Sequence, residues 1–383
     1  MFITFLFAVF VALTAASLDP EARMSTVEII THWGYPAQTV YVTTEDDYVI
    51  ELHRIPYGRT NGPPGKNESR PVVFLQHGLD CSSSNWIVNL PSQSAGFMFA
   101  DAGFDVWLGN VRGNTYGKRH KTLSTWSEKF WEFSFDEHTQ FDLTAMVDTV
   151  LKITATEQLY YVGHSQGTLT MFAKLADDPA FHGKIRKFFA LAPVGTVKHI
   201  KGFFDIVAHT LYPLIDFFTN IFGSGEFLPS NWLMKLVADT ICNGPIIGHR
   251  ICNNVMFLIA GPDSQQLNTT RTAVYMVLNG KMQKYDFRSS WKNKEHYGEA
   301  HPPTYDISKV NVETYLYWSD YDWLADEKDV LQHIIPNLNP QILKQNNKME
   351  KFNHMDFIWG LRAAKEIYEP IIEIIRSDFA NQN

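Results

Sequence analysis

Short, predominantly apolar runs alternate with segments that carry apolar side chains at helical spacing. That rhythm limits the chain to a mostly parallel sheet with helices on both faces. The runs are residues 72–76 (VVFLQ), 104–108 (FDVWL), 159–163 (LYYVG), 188–192 (FFALA) and 312–318 (VETYLYW). Each is bounded by turn residues, as strands buried on both faces are. Residues 141–151 and 166–176 are the helical segments between them. Upstream, residues 39–43 and 48–55 flank Glu45-Asp46-Asp47 and predict an antiparallel hairpin leading into the sheet. From about residue 196 to 310 the rhythm stops. The fold class that follows is α/β, with a core in two pieces, residues 18–195 and 311–383, and a largely helical cap inserted at 196–310.

The chain opens on an uncharged apolar stretch, residues 2–16, ending in Ala15, Ala16 and Ser17 and followed by Asp19, Pro20 and Glu21. It is shorter than the ~20 residues a bilayer span needs, so residues 1–17 read as a secretory signal peptide and no transmembrane segment is expected. An oxidising compartment suits the three cysteines. Cys242 and Cys252 are the natural pair, closing a short loop, with Cys81 left free. Two N-x-[ST] sequons, at Asn67 and Asn268, are candidate glycosylation sites. Lys and Arg total 33 against 41 Asp and Glu, a net charge of -8 that offers no basic field for nucleic-acid phosphates. Nucleic acid is therefore excluded as a partner.

The chemistry is concentrated in Gly163-His164-Ser165-Gln166-Gly167, a G-x-S-x-G set between an expected strand and an expected helix. The two glycines let backbone pass close to a sharp turn that lifts the Ser165 hydroxyl above the sheet edge. A serine hydroxyl attacks only when a base takes its proton, and the base needs an acid to fix its tautomer. In this arrangement the order is Ser, then Asp or Glu, then His. Asp322 is the candidate acid, on a loop after the strand at 312–318. Asp320 and Asp326 compete with it, and one of the three reads as the N-cap of the helix that follows. His354 is the candidate base, on a loop before the last helix, expected at 357–375, while its rival His333 falls inside a helical stretch. The oxyanion hole needs two backbone N–H groups. Gln166, after the nucleophile, supplies one, and Leu79, in the His77-Gly78-Leu79 loop behind the first parallel strand, the other.

With these residues in place the chain resembles the acid lipases, the family of gastric and lysosomal acid lipases. The resemblance runs from about Ile29 to the C-terminus. It rests on His32-Trp33-Gly34-Tyr35-Pro36, Leu75-Gln76-His77-Gly78-Leu79, Asn110-Val111-Arg112-Gly113-Asn114-Thr115, Phe133-Ser134-Phe135-Asp136-Glu137, the Ser165 pentapeptide, Leu324-Ala325-Asp326 and Asn353-His354-Met355-Asp356-Phe357. It implies an α/β-hydrolase core with a cap, hydrolysing triacylglycerols or cholesteryl esters at acidic pH at a lipid–water interface, without cofactor or metal. It assigns the nucleophile to Ser165, the acid to Asp322 and the base to His354, and its cap disulfide matches Cys242 and Cys252. The destination it implies is the secretory pathway, lysosomal or extracellular. Asp80, after Leu79, departs from the family's apolar residue, Asp47 replaces a hairpin glycine, and Glu327 stands where the family has Pro. Two other readings fit the same residues: a carboxylesterase or other serine hydrolase on the same core, and a secreted lipid-binding protein without turnover. Within the cap, residues 202–223 carry Phe203, Phe204, Leu214, Phe217 and Phe218 at near-helical spacing and are expected to cover the site and meet the lipid.

Overall fold

The structure, a computed structural model, describes residues 20–65, 68–202, 282–287 and 289–382. The expected signal peptide, Asn67, Asn268, Cys242, Cys252 and residues 203–223 lie outside the described residues. One nine-stranded sheet organises the rest. Its strands are β1 (Gln38–Thr43), β2 (Tyr48–Ile55), β3 (Val72–Gln76), β4 (Asp105–Leu108), β5 (Arg119–His120), β6 (Leu159–His164), β7 (Ile185–Leu191), β8 (Thr314–Trp318) and β9 (Leu343–Lys348). They follow the order β1-β2-β4-β3-β6-β7-β8-β9, with β5 beside β2. The expected hairpin β1–β2 is antiparallel, and it meets the parallel block, β4 to β9, through an antiparallel β2–β4 pair.

Around the sheet lie α1 (Thr26–His32), α2 (Ala95–Asp101), α3 (Leu143–Thr154), α4 (Gln166–Asp177), α5 (Ser290–Tyr297) and α6 (Glu369–Ala380). Side-chain alternation sends neighbouring strand residues to opposite faces and so makes two cores. Val73 and Leu75 join Phe97, Phe99, Phe357 and Ile371 on one side. Phe74 joins Trp107, Tyr161, Met146 and Phe172 on the other. Phe74 is fully buried, so its replacement by Ala costs about 3–5 kcal/mol.

Differences from the sequence reading have local causes. The last helix is not continuous: a helical turn at Asp356–Trp359 ends where Gly360 turns extended (φ -66, ψ 136), and the chain re-enters helix at Ala363, running through a π-helical stretch at Ala364–Tyr368 straight into α6. Strand β9, by contrast, falls inside the polar stretch 342–351 that reads as a strand from the sequence, and it is polar because it is the exposed edge of the sheet. The two-residue β5 carries no pattern to read. Asp47 takes the left-handed conformation its turn requires, with φ 73. Beside it, Asp46 accepts from the buried Arg112, whose Nε also donates to Asp142 at 2.8 Å and whose guanidinium lies 4.0 Å from the Tyr48 ring. The Asn110–Thr115 motif thus locks the hairpin to the start of α3. Residues 282–305 sit on the core through Asp136, which accepts from the Tyr305 hydroxyl at 2.6 Å and the Tyr285 amide at 2.7 Å.

Candidate active site

Strand β6 ends one residue before Ser165 and α4 begins one residue after it. Between them Ser165 holds φ 53 and ψ -120, a conformation that costs a non-glycine residue energy and persists only when the surroundings fix it. They do: the Ser165 amide donates to the Leu191 carbonyl at 3.0 Å. A Cβ on Gly163 would stand 2.7 Å from the Gly167 carbonyl oxygen, and one on Gly167 would stand 2.5 Å from that of Gln76. Both flanking glycines are therefore obligatory, and Ser165 itself stays half-buried, open to a reactant.

The loops after β8 and β9 bring Asp322 and His354 together. Nδ1 of His354 lies 2.9 and 3.0 Å from the two carboxylate oxygens of Asp322, and both side chains are buried. Asp322 Oδ1 also accepts the amides of Leu324 and Ala325, each at 2.8 Å. A carboxylate so placed makes Nδ1 the protonated nitrogen and leaves Nε2 with its lone pair free to accept a proton. The rival acids have other work. Asp326 is the N-cap of the next helical turn, accepting from the Lys328 amide at 2.9 Å, and pairs with Lys201. Asp320 is partly exposed and pairs with Lys348. The rival base His333 is on a helix facing a different group of residues.

Sequence reasoning missed the groups that hold this pair. His164 is buried behind Ser165, and its Nε2 donates to the backbone carbonyl of His354 at 2.9 Å, with the two rings 4.8 Å apart. Burial, helped by the neighbouring His354, pushes its basicity far below the usual histidine value, so it stays neutral. The only sequence signal was its seat beside the serine. Ser319 Oγ accepts the Phe352 amide at 3.1 Å and so ties the acid-bearing loop to the base-bearing one. Asn353 and Asp356 bond reciprocally around the turn after His354.

His77 steadies the other loop. Its Nδ1 donates to the Gly78 carbonyl at 2.7 Å, and its Nε2 accepts from the Asn114 amide at 3.1 Å. Because a trans peptide points its N–H away from its C=O, this contact turns the Leu79 N–H to the side opposite His77. Burial lowers the His77 pKa to about 4. A Cβ on Gly78 would approach Ser165 Cβ to 3.0 Å, which places the loop directly against the serine. Asp80 is exposed and left-handed (φ 51). The Cys81 thiol is free, and burial pushes its pKa up to about 12, so it is not a thiolate.

Comparison with known proteins agrees with this geometry. The alpha/beta hydrolase fold family matches residues 71–206, and the family described as a partial alpha/beta-hydrolase lipase region matches residues 26–90. Human gastric triacylglycerol lipase is 40% identical over 378 residues, covering 94% of this chain and 93% of its own. The chain belongs to the acid lipase family. Human lysosomal acid lipase/cholesteryl ester hydrolase is likewise 40% identical, over 94% of this chain and 92% of its own. Lipase lipl-1 of Caenorhabditis elegans reaches 54% identity over 95% of this chain and 94% of its own. The expected fold, an α/β-hydrolase core with a mostly parallel sheet, is borne out.

Proposed function

We propose that this chain hydrolyses the carboxylic ester bonds of neutral lipids, triacylglycerols or cholesteryl esters, through an acyl-enzyme on Ser165. The observation that carries the reading is the strained Ser165, whose neighbour His164 bonds to the His354 backbone, together with the buried His354–Asp322 pair. The relatives, named as triacylglycerol lipase and cholesteryl ester hydrolase, support the substrate class.

Ser165 Oγ attacks the ester carbonyl carbon while His354 Nε2 takes the hydroxyl proton and Asp322 stabilises the imidazolium that forms. The tetrahedral oxyanion is received by the Leu79 and Gln166 N–H groups, each typically worth ~3 kcal/mol of transition-state stabilisation. Collapse breaks the bond to the alcohol, which leaves with the proton from His354. Water, deprotonated by the same nitrogen, then frees the fatty acid and regenerates the serine. No step draws on a metal or cofactor.

Residues 18–195 and 311–383 form the core in this reading, and 196–310 the cap, with residues 202–223 meeting the lipid surface. Cys242 and Cys252 are its disulfide, and Asn67 and Asn268 its glycan sites. Residues 1–17 direct the protein into the secretory pathway, to the lysosome or the outside of the cell. Among the described residues no helix is long and apolar enough to cross a membrane.

Ser165→Ala tests the assignment. It should lose turnover on the order of 10⁶-fold and all labelling by a fluorophosphonate while keeping its melting temperature. Activity within tenfold of wild type would sink it.

A further inference from the structure

We propose that His199, Asp329 and His333 bind one divalent transition-metal ion of the zinc class where the chain leaves the core ahead of residue 203. This site lies apart from Ser165, and the inference does not depend on the hydrolytic reading. One ligand atom from each of the three lies within 4.8 Å of the others. Asp329 and His333 are one helical turn apart, on the segments Glu327–Asp329 and Val330–Ile334, and so share a helix face. His199 comes from the stretch after β7.

The carboxylate is built into the fold. Asp329 is buried, and it accepts from the Thr196 hydroxyl at 3.0 Å and the His199 amide at 2.9 Å. Its Oδ1 is 2.8 Å from His199 Nδ1. The His333 ring lies nearly parallel to that of His199, at 26°, with centroids 6.4 Å apart. Its Nε2 is sealed from solvent and has no hydrogen-bond partner among the described residues. A buried imidazole nitrogen without a partner is a standing cost, and a metal ion is a partner it accepts well.

Two imidazole nitrogens and one carboxylate oxygen suit zinc and its neighbours; calcium and magnesium require oxygen cages. Ligand bonds of zinc length put neighbouring donors ~3.3 Å apart in a tetrahedron. The 2.8 Å pair is already near that spacing, and no pair has to close by more than about 1.5 Å. Rotation of the His199 side chain, 25% exposed, provides the movement without shifting backbone. On binding, the Nδ1 proton of His199 moves to Nε2 by tautomeric exchange through solvent, and water fills the fourth position. The nearby Lys201 is neutralised by Asp326. The ion would tie the exit of β7 to the helix that follows the Asp322 loop, so its binding energy becomes stability of that junction.

The test uses the full-length, untagged protein, stripped with a chelator and titrated calorimetrically with Zn²⁺. A parallel titration with Co²⁺ is read by its visible absorption. The expected result is one site per chain in the micromolar range or tighter, a tetrahedral Co²⁺ band, and a melting temperature that rises with Zn²⁺. His333→Gln and Asp329→Asn, each verified as folded by circular dichroism, should each weaken that binding at least tenfold. In Asp329→Asn the amide oxygen can still accept from the His199 amide while the NH2 group donates to the Thr196 hydroxyl oxygen, so it carries the comparison if His333→Gln fails to fold. Wild-type affinity no better than millimolar, or folded variants that bind as wild type does, would overturn the proposal.

Discussion

Two aspartate–histidine pairs stand at the same end of the sheet, and by their shared bond they are alike: 2.9 Å for Asp322–His354 and 2.8 Å for Asp329–His199. They differ in what holds the carboxylate and in what lies beyond the ring. Asp322 is fixed by two main-chain amides, and the His354 ring is buried against His164, the neighbour of Ser165. Asp329 is fixed partly by a side-chain hydroxyl, and the His199 ring, partly exposed, faces another histidine. An Asp–His bond therefore does not by itself define a general base. A base also needs a hydroxyl within reach of its far nitrogen, whereas at Asp329 the second imidazole lies across the face of the His199 ring and the proposed metal takes the nitrogen nearest the carboxylate.

The largest effect expected inside this comparison comes from Asp322→Asn. Asn keeps an acceptor for Leu324 and Ala325, so the loop survives, but its neutral amide neither enforces the Nδ1–H tautomer of His354 nor stabilises the imidazolium. The kcat on a soluble short-chain ester should fall by about 10⁴ with little change in melting temperature. A loss below tenfold would break the distinction between the two pairs.

Next in size is a pH effect from histidines packed as deeply as His354. Burial lowers the pKa values of His53 and His77 to about 4, against ~6.5 in an unfolded chain. Above pH 6.5 both states are neutral and this contribution to stability is complete. As pH falls towards 4 the unfolded chain takes up protons that the folded one refuses, so stability is lost through that window and the loss levels off below it. Urea denaturation at pH 6.5 and 4.5 should show the decline. His53→Gln, remote from the serine, should lose about 2 kcal/mol less than wild type between those pH values. Parallel profiles would mean that His53 titrates normally in the fold.

The sequence made the strands and the elbow legible for a simple reason: buried parallel strands must be apolar throughout, and the serine turn must carry glycine on both sides. It did not separate Asp320, Asp322 and Asp326, because spacing is blind to which carboxylate caps a helix and which one faces His354. The family resemblance picked Asp322, and the structure brings that residue to the histidine. The role of His164 was hidden because its partner is a backbone carbonyl far along the chain. The His199–Asp329–His333 group was hidden for a related reason: His199 lies at the start of the expected insertion and the other two follow its end, far along the chain. The break at Gly360 was legible in principle, since a glycine inside a helical pattern is a warning.

The smallest effect comes from Thr196→Val, which removes one donor from Asp329 and nearly preserves volume. Thr196 is buried, and its hydroxyl bonds to Asp329 Oδ1 while the His199 amide holds Oδ2. The loss is one hydrogen bond to a buried carboxylate that keeps its other partners, about 1–2 kcal/mol, read as a lower urea midpoint at pH 7. Turnover of a soluble ester should stay within twofold of wild type, because neither Asp322 nor His354 draws on Thr196. No volume-preserving counterpart exists at Asp322, whose supporting donors are main-chain amides that only proline would delete, with the added constraint of its ring on the loop. A tenfold fall in kcat for Thr196→Val would show that the chain between Asp322 and Asp329 transmits strain from one pair to the other. The two pairs would then have to be treated as one coupled structure.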